Sequence, residues 1–144
     1  MSNVEKAVKF FEDGFACSQA ILSTYGEKFG LDKKLAFKIG DPFGAGMRGL
    51  SETCGAVTGA FMVIGLKYGR TQANNSLAKE KTTEFVQQFV KRFKSRHDTI
   101  VCKELLGYDV SIPEQKAQVE DQNLFQTACP KFVRNAAEIL EEIL

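Results

Sequence analysis

The chain has 144 residues, of which 44% are hydrophobic and 26% charged, and its 19 lysines and arginines nearly balance its 18 aspartates and glutamates. This length predicts one domain over residues 1–144, and this composition excludes a disordered or collagenous chain. The net charge of +1 lacks the electrostatic footprint of a protein that binds nucleic acid or an anionic membrane, so we expect neither as a partner.

Apolar residues at helical spacing predict two amphipathic helices at the start of the chain, ending before Gly14 and Gly30. Asp32 is suited to cap a short third helix, which the Asp41-Pro42 turn signal would end. The N-terminal segment has neither the apolar core nor the cleavage site of a signal peptide. We therefore expect a cytoplasmic protein without membrane insertion, whose thiols are kept reduced.

A glycine-rich segment follows and runs to about Glu52. Gly44, Gly46 and Gly49 form a literal GxGxxG pattern in it. A dinucleotide site of this type needs a preceding buried strand and an acidic residue about twenty positions later, and neither is present. The glycines are therefore expected to form a tight connection, or to let backbone N–H groups approach a sulfur atom or a cofactor closely.

The second half of the chain predicts further helices and no strand. Nearly every position from 53 to 68 is apolar, which indicates a central helix buried on most sides and ended by Gly69. A long surface helix is expected over 74–96, a short one from Cys102 to Gly107, a partly helical polar stretch from Pro113, and a closing helix over 130–144. The predicted fold is all-α, a compact bundle of six or seven helices with one glycine-rich loop.

Four cysteines accompany a single histidine and no tryptophan. Cys17, Cys54, Cys102 and Cys129 are widely separated and form no CxxC pair, so their spacing identifies no metal. Each lies at the predicted start of a helix, where free N–H groups and a partial positive charge stabilise a thiolate. The alternative is four buried, inert cysteines, because a free cysteine packs as a small hydrophobic residue. We expect His97 to be a solvated residue at a helix end.

The order of these residues resembles a known family. Cys17, the element Cys54-Gly55-Ala56 with Gly59, and two further single cysteines are similar, over nearly the whole chain, to the C_GCAxxG_C_C family of redox-active proteins. The resemblance implies a small soluble bacterial or archaeal protein whose four cysteines act together. Such proteins are often encoded near transporter genes, which implies association with a transporter, and the resemblance names no substrate.

Four cysteines match the ligand number of an iron–sulfur cluster. We expect Cys17, Cys54, Cys102 and Cys129 to converge near the glycine-rich loop and to bind such a cluster for electron transfer. The glycines that would surround it with N–H groups are Gly44, Gly46, Gly49, Gly55 and Gly59.

Two alternatives stay open at this point. The first is a metal-free protein whose cysteines exchange electrons as dithiol and disulfide pairs. The second is a zinc site with four cysteine ligands or a purely structural helical interaction module, which includes a homo-oligomer. The sequence identifies neither the electron donor nor the acceptor, and it assigns no enzymatic reaction.

Overall fold

The computed structural model describes all 144 residues, and its regular secondary structure consists of helices without a strand. None of its helices combines the length and hydrophobicity that a membrane crossing requires. Eight helices form the fold, and seven of them contain at least seven residues, which confirms the predicted all-α class. They are α1 (Asn3–Glu12), α2 (Cys17–Gly26), α3 (Lys33–Gly40), α4 (Gly55–Tyr68), α5 (Ser76–His97), α6 (Cys102–Leu106), α7 (Pro113–Asp121) and α8 (Cys129–Ile143).

Helix ends follow local signals in the sequence. Asp32 caps α3 as predicted, because its carboxylate accepts hydrogen bonds from the backbone N–H groups of Lys34 and Leu35. Gly107 ends α6 in the left-handed conformation, with φ of 78°, where a residue with a side chain would be strained. Gly69 ends α4, also as predicted.

The centre of the bundle is the packing of α2 against α4. Every residue of α2 except Gln19 is buried. Gly59 of α4 faces α2 so closely that an added Cβ would lie 3.1 Å from the Ser18 carbonyl oxygen. Helices α1 and α3 cover the other sides of α2, and α8 packs against α1, α4 and α5. The small residue at position 59 thus allows the two central helices to approach.

The start of the central helix and the end of the second helix differ from the prediction. The central helix does not begin at Thr53, because Thr53 instead pairs with Val101 in an isolated antiparallel bridge. Cys54 then caps α4. The second helix ends at Gly26, and residues Glu27–Phe29 form a separate turn of 3-10 helix.

His97 lies at the end of α5, as predicted, but it is half-buried and not fully solvated. Its ring lies between those of Phe93 and Phe132, and Nε2 is 2.7 Å from the Asn135 Oδ1. Burial lowers the pKa of His97, so the imidazole is neutral at pH 7. His97 therefore acts in the packing of α5 against α8.

Candidate functional site

The structure brings the four cysteines together. Each begins or caps a helix, as predicted, and each is only 5 to 8% exposed. All four line one cavity of about 590 Å³, here called the cysteine cavity, to which α2, α4, α6 and α8 each contribute their N-terminal end. The expected convergence near the glycine-rich loop is therefore confirmed, since Gly44 and Gly46 line the same cavity.

Cys17 and Cys129 lie near each other in this group and influence each other's pKa. Interaction with the neighbouring Cys129 thiol, together with burial, raises the pKa of Cys17 well above its ordinary range. The same interaction lowers the pKa of Cys129. Cys129 also begins the 15-residue helix α8, whose free N–H groups favour negative charge. Cys129 is thus the thiol of the cavity that ionises most readily.

Cys54 and Cys102 each directly follow one residue of the bridge between Thr53 and Val101. The Cys54 N–H donates to the Ile100 carbonyl at 2.8 Å, and the Cys102 N–H donates to the Glu52 carbonyl at 2.5 Å. Burial raises the pKa of Cys54 to about 12 and that of Cys102 to about 11. Both are therefore neutral thiols at pH 7 unless a cation binds them.

The glycine loop, residues 44–52, covers Cys102 and runs through an unusual left-handed path. Five successive residues have positive φ, and they are Ala45 (49°), Gly46 (68°), Met47 (75°), Arg48 (40°) and Gly49 (85°). Each non-glycine residue in this conformation costs about 1–2 kcal/mol, so packing and hydrogen bonds must hold the path. The N–H groups of Ser51 and Glu52 donate to the carbonyls of Ala45 and Gly46 and hold it in place.

The five predicted cofactor glycines fall into two groups. Gly44, Gly46 and Gly55 line the cysteine cavity, and an added Cβ at Gly55 would lie 3.4 Å from that of Cys17. Gly49 and Gly59 do not line it. Gly49 has open space around its Cα, and Gly59 contacts α2, so these two glycines serve the path of the loop and the packing of the helices.

Side chains that the sequence did not single out complete the cavity wall. Aromatic rings line much of it, and Arg48 and Asp41 form an ion pair at 2.6 Å with both side chains more than half exposed, at its outer rim. Within the glycine loop, Ser51 is fully buried, although it does not line the cavity. No motif in the sequence marks Ser51, and only its position three residues before Cys54 indicates that it could lie near the site.

The spacing of the thiols limits what they can bind. No three His, Cys, Asp or Glu side chains are arranged to hold a single metal ion. A tetrahedral zinc site with Zn–S bonds of about 2.3 Å needs its sulfurs about 3.8 Å apart, and four cysteines do not meet in that way. An iron–sulfur cluster does not require its four cysteine sulfurs to lie so close together, because they bind to two or more iron atoms.

Comparison with known families agrees with this site. A family model described as "Putative redox-active protein (C_GCAxxG_C_C)" matches residues 15–143, which include all four cysteines. The chain therefore belongs to this redox-active family, and the resemblance seen in the sequence is confirmed. Neither the search of curated proteins nor the search of solved structures gives a match.

Proposed function

We propose that this member of the C_GCAxxG_C_C family transfers electrons and that its four cysteines bind an iron–sulfur cluster as thiolates. One observation carries the proposal: the four thiols, which are far apart in sequence, are all buried and line a single cavity of about 590 Å³. A purely structural core has no need to place every cysteine of the chain on one empty space, since packing favours filled interiors.

The residues of the cavity fit such a group chemically. Iron binding displaces protons from thiols, so the raised pKa values of Cys54 and Cys102 are compatible with their being ligands. Gly46 and Gly55 let the backbone approach the Cys102 and Cys17 side chains closely, because an added Cβ would lie 2.8 Å and 3.4 Å from the Cβ atoms of those cysteines. When bound, a cluster supplies a one-electron redox change.

The chain itself supplies the electrostatic surroundings. The N-terminal ends of α2, α4 and α8 face the cavity with free N–H groups, which stabilise negative charge on the sulfurs. Aromatic side chains including Phe15 and Phe132 reduce access of water. Because fewer water contacts and more N–H groups shift a reduction potential in opposite directions, the balance between them sets the potential.

Anaerobic reconstitution with iron and sulfide tests the proposal. The wild-type protein should bind iron and sulfide in near-stoichiometric amount and gain visible absorbance that disappears reversibly on one-electron reduction. Replacement of any one of the four cysteines by serine should reduce iron content and colour. Ser23→Ala is the control, because Ser23 is buried but hydrogen-bonds only within α2. Full iron binding by all four serine variants, or none by the wild type, would overturn the proposal.

The contact between Cys17 and Cys129 favours a second candidate, thiol–disulfide exchange without metal. The Cys129 thiolate would attack a small or protein disulfide and release one of its two thiols, which takes the Cys17 proton. The Cys17 thiolate would then attack the Cys129 sulfur and release the second thiol. The products are a Cys17–Cys129 disulfide and two reduced thiols, a transfer of two electrons.

Cys54→Ser separates the two candidates. A cluster requires Cys54, whereas exchange between Cys17 and Cys129 does not. A colourless protein that forms a reversible disulfide with unchanged potential in the Cys54→Ser variant would replace the cluster proposal with the exchange proposal. Tightly bound zinc without any redox change would overturn both, because Zn²⁺ has no accessible second oxidation state.

The cytoplasmic location and the transporter-linked electron partner remain part of this proposal. The partner rests on the family resemblance, and the location rests on the fact that free thiols persist only in a reducing compartment. Co-purification of the tagged protein under anaerobic conditions, with and without reduction of the site, tests for such a partner.

A further inference from the structure

The wall of the cysteine cavity changes in character from its base to its rim. The four cysteines form the base, since each is only 5 to 8% exposed. Half-buried phenylalanines lie above them and are here called the aromatic layer, namely Phe11, Phe15 and Phe125. Exposed polar side chains form the rim, namely Glu12, Asp41, Arg48 and Gln126. The cysteines thus account for only part of the cavity wall.

The size and lining of the cavity match those of a site for a small organic molecule. Such sites have volumes of roughly 300–1,000 Å³ and mainly apolar walls with a few polar groups. The cysteine cavity has a volume of about 590 Å³ and combines the aromatic layer with a polar rim. Because the cysteines are nearly inaccessible, only a molecule small enough to enter the cavity can contact them.

Phe15 is fixed in place by rings outside the cavity. Its ring stacks on Phe37 with centroids 4.2 Å apart and an angle of 14°, and the Phe10 ring meets it edge to face at 6.0 Å. Neither Phe10 nor Phe37 lines the cavity, whereas Phe15 does. The remaining surface of the Phe15 ring therefore borders the cavity without any rearrangement. A ring held in this way binds another planar ring at a low cost in conformational entropy.

The charges around the cavity disfavour a charged ligand. The Arg48 guanidinium is already neutralised by the Asp41 carboxylate at 2.6 Å, and Glu12 adds a further negative charge to the rim, which opposes an anion. The N-terminal ends of α2, α4 and α8 carry partial positive charge at the base, which opposes a cation. A neutral molecule avoids both penalties.

We propose that the aromatic layer of the cysteine cavity is a binding site for a small, neutral, planar aromatic molecule, which stacks on Phe15 above the four cysteines. The binding itself does not depend on the proposed function. Only the position of this molecule beside an iron–sulfur cluster rests on that function.

Fluorescence titration of the reduced, metal-free, full-length protein tests the site. The probe is N-phenyl-1-naphthylamine, which is neutral and brightens in apolar surroundings. We expect saturable one-to-one binding. Its sulfonated derivative, anilinonaphthalene sulfonate, has the same rings and a negative charge, and it should bind about fivefold more weakly. Absence of saturable binding by the neutral probe, or equal or tighter binding by the anion, would overturn the proposal.

A matched pair of variants locates the bound probe. Phe15→Leu keeps an apolar side chain but removes the planar ring, so the dissociation constant of the neutral probe should rise about fivefold. Phe85→Leu is the control, because Phe85 is also half-buried and stacks on Tyr68 at 4.4 Å, but it does not line the cavity. Its dissociation constant should equal that of the wild type. An unchanged value in Phe15→Leu, or equal changes in both variants, would contradict the proposed site.

Protection of the cysteines locates the probe without any substitution. Iodoacetamide alkylates the four cysteines of the wild type, and mass spectrometry follows each one. At a probe concentration about ten times its dissociation constant, alkylation should slow about tenfold, because only the unoccupied protein reacts. Unchanged rates at all four cysteines would show that the probe binds elsewhere, and the inference would fail.

Iron loading decides the proposed function separately. A protein that binds the neutral probe at this site but takes up no iron and sulfide keeps the inference and loses the proposed function. A protein that loads iron but does not bind the probe when metal-free keeps the proposed function and loses the inference.

Discussion

A Cβ atom added to Gly46 would lie 2.8 Å from the Cβ of Cys102 and 2.6 Å from the backbone nitrogen of Glu52. Neither neighbour can move freely, because both belong to the hydrogen-bonded connection between the glycine loop and α6. The backbone of Gly46 is also left-handed. We expect Gly46→Ala to lower the free energy of unfolding by about 2–5 kcal/mol, measured by urea denaturation, because strain and overpacking add.

Gly65→Ala is the matched control for that variant. Gly65 lies within α4, and an added Cβ would meet no atom within 4 Å. Alanine should raise the free energy of unfolding by about 0.5–1 kcal/mol, since it loses less backbone entropy on folding into a helix. Comparable losses of stability in both variants would show that the close packing around Gly46 does not cause the loss in Gly46→Ala.

Gly59→Ala should lower the free energy of unfolding without changing the amount of iron that the folded protein binds. Its Cβ would lie 3.1 Å from the Ser18 carbonyl oxygen and 3.2 Å from the Ile21 Cβ, so α2 and α4 would have to separate slightly. We expect a loss of about 1–3 kcal/mol. Because Gly59 does not line the cysteine cavity, iron bound per folded protein should equal the wild-type value. A selective loss of iron at full stability would contradict this.

The stability of the metal-free protein should fall above pH 9. Cys54 has a pKa of about 12 in the folded chain, against an ordinary value of 9.0. A raised pKa means that the folded state holds the proton more tightly, so this contribution is complete below pH 9 and is lost as the pH rises toward 12. Urea denaturation across this interval should show the fall.

The Cys54→Ser variant isolates that contribution. The Cys129 thiol and burial raise the pKa of Cys17, and burial raises the pKa values of Cys102 and Tyr25, so the wild-type profile contains further alkaline components. Serine at position 54 does not titrate, and the variant should lose less stability between pH 9 and 12 than the wild type. An equal loss in both proteins would show that Cys54 keeps an ordinary pKa.

Asp98→Gly should stabilise the protein. Asp98 follows α5 in the left-handed conformation, with φ of 68°, and its exposed carboxylate lies at the negative end of the helix dipole. Glycine removes both penalties and keeps the backbone hydrogen bond to Lys94, so we expect a gain of about 1 kcal/mol in urea denaturation. Asp98→Asn should give a smaller gain, and a loss in the glycine variant would reveal a stabilising contact of the carboxylate.

Local signals predicted the parts of this fold that depend on neighbouring residues. The cap at Asp32, the end of α4 at Gly69 and the helix starts at the cysteines are of this kind. They follow from side-chain hydrogen bonding, glycine conformation and apolar periodicity within a few positions.

Other parts depend on contacts between distant segments, which no local pattern contains. Thr53 leaves the helical pattern because Val101 offers a backbone partner. The left-handed path of the glycine loop exists because the N–H groups of Ser51 and Glu52 hold it and Gly46 packs against Cys102. His97 has a polar sequence around it, yet its ring packs against aromatic rings of α5 and α8. Family resemblance indicated that the cysteines act together, but only the fold shows Cys17 beside Cys129.

The order in which a ribosome makes these residues restricts when the site can form. Cys17, Cys54 and Cys102 emerge first, but Cys129 is added with α8, the last helix of the fold. A nascent chain that ends before residue 129 has three thiols and an open wall where α8 will pack. The complete set of four exists only after α8 is synthesised and docked, so any chemistry that needs all four thiols must follow the docking of α8.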